Sequence, residues 1–417
     1  MSKVIRFFRI FLVSLIIIVL SSRSQLFSGG RLESIRVYTR TLEFDYVDWT
    51  LDAILGKVEQ GSLGAMRYVS SASARAIVLD YLKVVDESQL LQWEIEREYS
   101  DPAITDPAIE TKEKIKRLQQ VQAQKHTLAA LAESTLQAQI SYVVSELGMG
   151  FLGQPLPPLL YKVTELPLSL IVSPREVIRQ DANISLDPEM DMAQIITLEN
   201  EVANGLDVST LVTRIGGVGV YPTMVAQSTS LPWLAETIAH EWIHNYLTLQ
   251  PLGLRYDTSA DLRTMNETTA SIAGKEIGAA LLMSYYPEFA LPPVNHAVLD
   301  ESGTPEPAPP VFDFTAEMRI TRVNADALLA EGKISEAEEY MEERRKVFWN
   351  NGYQIRKLNQ AYFAFNGAYA DVPGGAAGED PVGAAVRALR SESSDLASFV
   401  KKMAAMRSFE DLQIALQ

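Results

Sequence analysis

Residues 231–248 constrain the fold most, because helical spacing makes this segment apolar around most of its circumference. Ser230 is a favourable N-cap, and Pro232 fits the first turn of a helix. Two rows of apolar residues run along the segment at a spacing of four, with Leu234, Ile238 and Trp242 in one row and Ala239, Ile243 and Leu247 in the other. The sequence therefore predicts a buried helix that the rest of the chain must enclose.

Two of the four histidines in the chain, His240 and His244, lie four residues apart in this apolar segment. An unsatisfied buried imidazole costs about 1 to 3 kcal/mol, so both rings need polar partners. On a helix the two rings share one face and can bind a single zinc ion, while Glu241 is offset so that it reaches a water on the metal. The alternative is a pair of core histidines that donate to carbonyl groups.

A catalytic zinc site takes three protein ligands, so a third must come from elsewhere in the chain. Residues 259–286 predict a second helix, with Glu267 in its interior among small or apolar neighbours. Small residues on this helix would allow close approach to another helix. We favour Glu267 as the third ligand over His296, which follows a pair of prolines outside the helix.

The sequence HEWIH at 240–244, followed by NETTA at 266–270, resembles the gluzincin clan of zinc metallopeptidases. In detail it is most similar to zinc aminopeptidase families of bacterial envelopes. The resemblance implies that His240, His244 and Glu267 bind zinc and that Glu241 is the general base. It departs from the thermolysin branch at Ser271, where that branch has an Asp that orients the first histidine.

Zinc peptidases also need a hydrogen-bond donor for the oxyanion that develops during hydrolysis. The segment KLNQAYFAFNGAYAD near the C-terminus resembles the Asn- and Tyr-bearing segment of the same families. Tyr362 and Tyr369 lie there and are core or interface aromatics by default. One of them, or His296, is the candidate donor.

Elsewhere the first half of the chain is predicted to be mainly helical. Apolar residues recur at helical spacing between 44 and 99, which predicts two or three helices. Asp106 and Pro107 are signals for the start of a long helix that extends to about residue 147. His126 lies on the polar side of this helix and is interpreted as a solvated residue.

Short strands are predicted after residue 153. Prolines and alternation indicate strands within 154–178 and again within 216–228, and Pro222 places the second of these at a sheet edge. Residues 190–207 fit either a strand and turn or a short helix. A Pro-rich link at 303–313 precedes a predicted helical hairpin around Gly332, and two short helices are expected to end the chain.

Composition limits the class of protein. The formal net charge of -16 argues against a general nucleic-acid surface, which needs clustered Lys and Arg. The absence of Cys excludes disulfides, thiolate zinc sites and Cys nucleophiles, so His and carboxylates must hold any metal. At the amino terminus, Lys3, Arg6 and Arg9 precede an apolar run at 10–20, as in an export signal. The segment is either a cleaved signal peptide or a membrane anchor, and both place the rest of the chain outside the cytoplasmic membrane.

These observations predict an α+β, mainly α-helical protein with zincin-like active-site helices beside a small mixed sheet. The predicted regions are a signal or anchor at 1–24, a helical N-terminal region at 25–150, a catalytic core at 151–300 and a helical C-terminal region at 301–417. The predicted function is zinc-dependent hydrolysis of peptide bonds. The alternative is a membrane-tethered binding or assembly protein that retains a zinc site without catalysis.

Overall fold

A computed structural model describes residues 30–63, 70–100, 106–290, 312–367 and 381–417. Helices dominate these residues, and the strands form two small three-stranded sheets and a two-stranded hairpin. The predicted α+β, mainly helical class is confirmed.

The described residues between 30 and 144 form mainly helices, as the helical spacing predicted. Helix α1 (Arg31–Thr39) and helix α2 (Tyr46–Leu63) are followed by the long helices α3 (Ser71–Ser100) and α4 (Lys112–Val144), which pack along each other. Asp106 caps a single turn at Pro107–Glu110 that leads into α4, because its carboxylate accepts a hydrogen bond from the Ile109 amide at 3.3 Å. The predicted long helix is thus present, with a break at Thr111, and it ends in a π-helical turn at Ser145–Met149.

A buried antiparallel sheet comes next in the fold. Strand β4 (Leu168–Pro174) lies between β5 (Ala182–Leu186) and β6 (Val208–Thr213), and every residue of β4 is buried. Helix α5 (Met192–Leu206) packs against β6. This helix settles the alternatives left open for residues 190–207. Asp191 and Gln194 form a capping box at its start, which stabilises the helix over a strand.

A second, mixed sheet lies beside the segment that carries the two histidines. Its order is β3 (Tyr161–Val163), β8 (Thr223–Val225) and β7 (Gly217–Val218), with β3 parallel and β7 antiparallel to β8. The hairpin β1 (Gly150–Phe151) and β2 (Gln154–Pro155) precedes it.

The prediction that Pro222 places its strand at a sheet edge is wrong, because β8 is the central strand of the mixed sheet. Pro222 lies one residue before the first paired residue, Thr223, whose amide donates to the Leu160 carbonyl at 2.8 Å. The missing proline N–H therefore falls outside the ladder and costs no sheet hydrogen bond.

The predicted buried helix is α6 (Leu231–Thr248), and the predicted second helix is α7 (Ala260–Tyr285). The side chains of Ser230 and Ser259 cap them, and a single helical turn at Pro251–Leu254 lies between them. The small residues of α7 do allow close approach: a Cβ added at Gly274 would lie 2.9 Å from the Glu236 carbonyl oxygen and 3.0 Å from His240 Cβ. Close contact between α6 and α7 fixes the position of the histidines relative to α7.

The C-terminal region forms a helical hairpin and a helical layer. Helix α8 (Phe314–Ala330) and helix α9 (Ile334–Asn350) form the predicted hairpin, and Gly332 makes the turn with a φ of 74°. Helix α10 (Gln360–Asn366) contacts β4 and β6. The remaining helices are α11 (Pro381–Glu392), α12 (Leu396–Ala404) and α13 (Phe409–Ala415), which join the hydrophobic core around α6 and α7.

The expectation of two short helices at the C-terminus is therefore wrong, because there are three. Asp395 and Ser408 each interrupt the helical run as an N-cap, accepting from the amides of Ser398 and Asp411. A single-turn 3-10 helix at Pro287–Phe289 follows α7.

Within the described residues, none of the helices combines the length and apolarity needed to span a bilayer. The predicted export segment at 1–24 and most of the Pro-rich link at 303–313 lie outside the described residues.

Candidate metal centre

Helix α6, which carries the two histidines, is held in place by buried side chains and by hydrogen bonds to neighbouring segments. Leu234, Ile238 and Ile243 are buried, and the Trp242 indole donates to the Pro157 carbonyl at 2.9 Å. The predicted burial of this helix is confirmed. Asn245 on the same helix donates to the Thr223 hydroxyl of β8 at 2.9 Å, which ties α6 to the mixed sheet.

His240, His244 and Glu267 converge on one point between α6 and α7. The two Nε2 atoms of the histidines lie 3.0 Å apart. Glu267 Oε2 lies 3.6 Å from His240 Nε2 and 3.4 Å from His244 Nε2. Sequence reasoning grouped these three residues, and the structure brings them together as a group that could hold a metal ion.

The spacing and chemistry of these atoms fit a zinc ion. Ligands about 2.0 to 2.1 Å from a tetrahedral zinc lie roughly 3.3 to 3.4 Å from one another, and the observed separations bracket that value. Glu267 Oε2 is buried and has no hydrogen-bond partner among the described residues. Such an oxygen needs a positive partner, since an unpaired buried charge is costly. Two imidazole nitrogens and a carboxylate oxygen form a donor set that zinc accepts.

The ring of His244 is oriented for this role. Its Nδ1 lies 2.8 Å from Asn266 Oδ1, so the ring donates there and directs Nε2 towards Glu267. The Nδ1 of His240 lies 3.5 Å from the Ser271 hydroxyl, which is long for a hydrogen bond.

Glu241 lies beside this cluster and is not one of its three members. The residue is 7% exposed, and the backbone of β7 passes directly over it: a Cβ added at Gly217 would collide with the Glu241 carboxylate. Burial raises the pKa of the Glu241 carboxyl, and the charges of His240 and His244 only partly oppose this. A carboxylate with a raised pKa is suited to accepting a proton near neutral pH.

The charges of the cluster are strongly coupled. Burial lowers the pKa of the His244 imidazole, but the Glu267 carboxylate more than offsets this and raises the pKa to about 9. Burial likewise raises the pKa of Glu267, yet the two imidazoles outweigh burial and hold the pKa well below its ordinary value. Glu267 therefore stays ionised and favours a positive charge between the two rings.

Tyr256 is a site residue that sequence reasoning missed. Its hydroxyl donates to Glu267 Oε1 at 2.5 Å, and its ring packs edge-on against His244. It lies on the connection between α6 and α7, where no periodic pattern marks it. In the sequence, only its position between the two helices that carry the candidate ligands indicates that Tyr256 could belong to the site.

The other candidate residues do not join the described cluster. His296 and Tyr369 lie outside the described residues. Tyr362 is described, and its ring packs against Phe363 in the C-terminal core, as expected of a core aromatic. His126 is exposed on α4, as predicted.

The cluster lies in an open cleft with a volume of about 800 Å³. Segment 217–220, which includes β7, forms one wall, and the start of α7 with the connection before it forms another. Polar side chains from β4, β5 and α2 also line the cleft, namely Ser169, Asn183, Ser185 and Tyr46. A cleft of this size admits several residues of an extended chain.

No protein-family model, curated protein or solved structure matches this chain.

Zinc binding is expected to depend steeply on pH. His244 has a pKa of about 9 beside Glu267, so below that pH its imidazole must release a proton before it can bind a metal. The apparent zinc affinity should therefore rise roughly tenfold per pH unit between pH 6 and pH 8.5 and level off above pH 9. Competition against a chelator of known pH dependence measures this slope, and a constant affinity across that range would contradict the assignment.

Proposed function

We propose that this protein is a zinc-dependent peptidase of zincin-like type. The observation that carries the proposal is the position of Glu241, a buried carboxylate directly beside the His240, His244 and Glu267 cluster on the floor of an open cleft. A purely structural metal site is normally closed, whereas this cluster lines an open cleft.

The residues divide into a metal-binding set and a proton-transfer group. His240, His244 and Glu267 would hold the ion, which when bound supplies the Lewis acidity that activates water and polarises a carbonyl. Glu241 accepts the proton of the attacking water and returns it to the leaving amine. Burial supports this role, because it raises the pKa of Glu241 toward the working pH.

Tyr256 is our candidate for stabilising the oxyanion, because it lines the cleft beside the cluster. Its hydroxyl donates to Glu267 Oε1, so in this role it would turn from Glu267 to the substrate oxygen. A donor aimed at developing negative charge typically contributes about 10²- to 10³-fold in rate. We therefore propose Tyr256 for this role ahead of Tyr362, which packs in the C-terminal core.

Peptides or unfolded protein segments are the proposed substrates. The cleft is open and is lined by both polar and apolar groups, which suits an extended chain. The N-terminal sequence of basic residues followed by an apolar run supports a location outside the cytoplasmic membrane, with the membrane as a second partner.

The proposal is tested by hydrolysis of a mixed peptide library by zinc-loaded protein, with products identified by mass spectrometry. We expect new termini to appear, to be absent after treatment with a chelator and to return when zinc is restored. One zinc per chain without cleavage of any peptide would instead favour the alternative, a binding or assembly protein that retains a metal site.

A further inference from the structure

Arg263 brings a positive charge into the wall of the cleft, close to the metal centre. It lies on α7, one helical turn before Glu267, and lines the same cleft. Its side chain is only 11% exposed, so the guanidinium lies against the protein and does not extend into solvent. The guanidinium also lies over the ring of Tyr256, 5.7 Å from its centroid.

The hydrogen-bonding capacity of Arg263 is only partly used. Nη1 donates to the Gln180 carbonyl at 3.2 Å, and Nη2 lies 3.7 Å from Asp257, a side chain that is 86% exposed. Nε is buried and has no hydrogen-bond partner among the described residues. By contrast, Arg345 forms a bidentate salt bridge with the Glu342 carboxylate, with N···O distances of 2.7 and 2.8 Å. Among the residues that the structure describes, Arg263 has no carboxylate partner of this kind.

The two other arginines nearby already have a close carboxylate partner. Arg31 and Arg179 lie 2.6 and 2.7 Å from the carboxylate of Asp181, which is 10% exposed. Arg263 instead lies 3.7 Å from Asp257, whose side chain is 86% exposed, so this ion pair is weak. A guanidinium without a strong carboxylate partner can bind an anionic ligand.

We propose that Arg263 binds a carboxylate of the substrate and so determines specificity. This inference rests on the proposed peptidase function, since it names the class of peptide that the cleft selects. A planar guanidinium with free donors matches the two oxygens of a carboxylate. In a peptide, this group is supplied either by an Asp or Glu side chain or by the C-terminus.

The position of the carboxylate along the substrate is left to experiment. Arg263 and Glu267 lie one helical turn apart on α7 and line the same cleft, so the recognised carboxylate and the cleaved bond lie in one cleft. The peptides below therefore carry the charge at each position in turn.

The test measures binding, so that it does not depend on turnover. The zinc-loaded Glu241→Gln variant is titrated calorimetrically with N-acetylated hexa-alanine amides in which Glu, or its neutral counterpart Gln, replaces each Ala in turn. Hexa-alanine with a free C-terminus is compared with its amide. We expect one Glu position, or the free C-terminus, to bind about 10- to 100-fold more tightly than its neutral counterpart, the size of a charge-assisted hydrogen bond. Tighter binding of one Glu peptide would show that Arg263 recognises an acidic side chain. Tighter binding of hexa-alanine with a free C-terminus would show that it recognises the C-terminal carboxylate.

The preference must depend on Arg263. Adding Arg263→Met to Glu241→Gln should abolish the preference for the carboxylate. Adding Arg263→Lys instead should retain part of this preference, because Lys keeps the positive charge but lacks the planar guanidinium that binds both carboxylate oxygens. Arg179→Met is the matched control: it removes the same charge from the same cleft, but this arginine is already paired with Asp181. Circular dichroism and thermal unfolding confirm that each variant is folded.

Three outcomes would overturn the inference: equal binding of the charged and neutral peptides, an unchanged preference in Arg263→Met and Arg263→Lys, or no binding of any peptide. If carboxylate peptides bind through Arg263 but the wild-type protein cleaves none of them, the inference stands as ligand recognition and the proposed hydrolysis fails.

Discussion

Replacing Glu241 with Gln is expected to lower peptide hydrolysis by about 10²- to 10⁴-fold, the usual effect of losing a general base. Gln keeps the size and hydrogen-bonding reach of the side chain but cannot accept the proton. Because Glu241 lies outside the three-residue cluster, zinc content and folding should stay at wild-type levels. The measurements are kcat and kcat/KM on a cleaved peptide, together with zinc per chain.

A matched control is available on the same helix. Glu236→Gln makes the same chemical change just over one turn before Glu241, and this variant should hydrolyse peptides at the wild-type rate. If Glu241→Gln retained wild-type activity, the proton transfer assigned to this carboxylate would be wrong and the chemistry would involve other residues.

Replacing His244 with Ala is expected to weaken zinc binding by about a hundredfold or more. Removing a residue that only orients a ligand typically costs about 10- to 100-fold in metal affinity, so loss of a ligand should cost at least as much. The ring of His244 is also held by Asn266, at 2.8 Å from its Nδ1. Chelator competition gives the affinity, and elemental analysis gives the zinc retained after purification.

His126→Ala is the control for this change, because His126 is exposed on α4 and is not a member of the cluster. It should bind zinc as the wild-type protein does. Equal zinc affinities in the two variants would remove His244 from the site.

The helices that form the site could be predicted from the sequence because their signals are local. Ser230 and Ser259 cap α6 and α7, and the apolar spacing within each helix fixes which faces are buried. The spacing of His240 and His244 is likewise local, since one helical turn brings the rings together. The mainly helical α+β class follows from the same periodicity.

Other features depend on how distant segments pack, which local patterns do not determine. No local pattern in the sequence identifies Glu267 rather than His296 as the third ligand. The position of Glu267 depends on the close contact of α6 with α7 at Gly274. Tyr256 joins the site through the path of the chain between α6 and α7, and Arg263 joins it from the start of α7. The position of Pro222 was predicted wrongly because the proline rule constrains ladder hydrogen bonds, and this proline lies just outside the ladder.

The central claim is that His240, His244 and Glu267 together hold one zinc ion. X-ray diffraction from crystals grown with zinc, recorded on both sides of the zinc absorption edge, tests it most directly. The account predicts a single strong anomalous peak per chain, about 2.0 to 2.2 Å from the Nε2 atoms of both histidines and from Oε2 of Glu267. A map with no peak between these three side chains, or with the zinc bound at other residues, would contradict it.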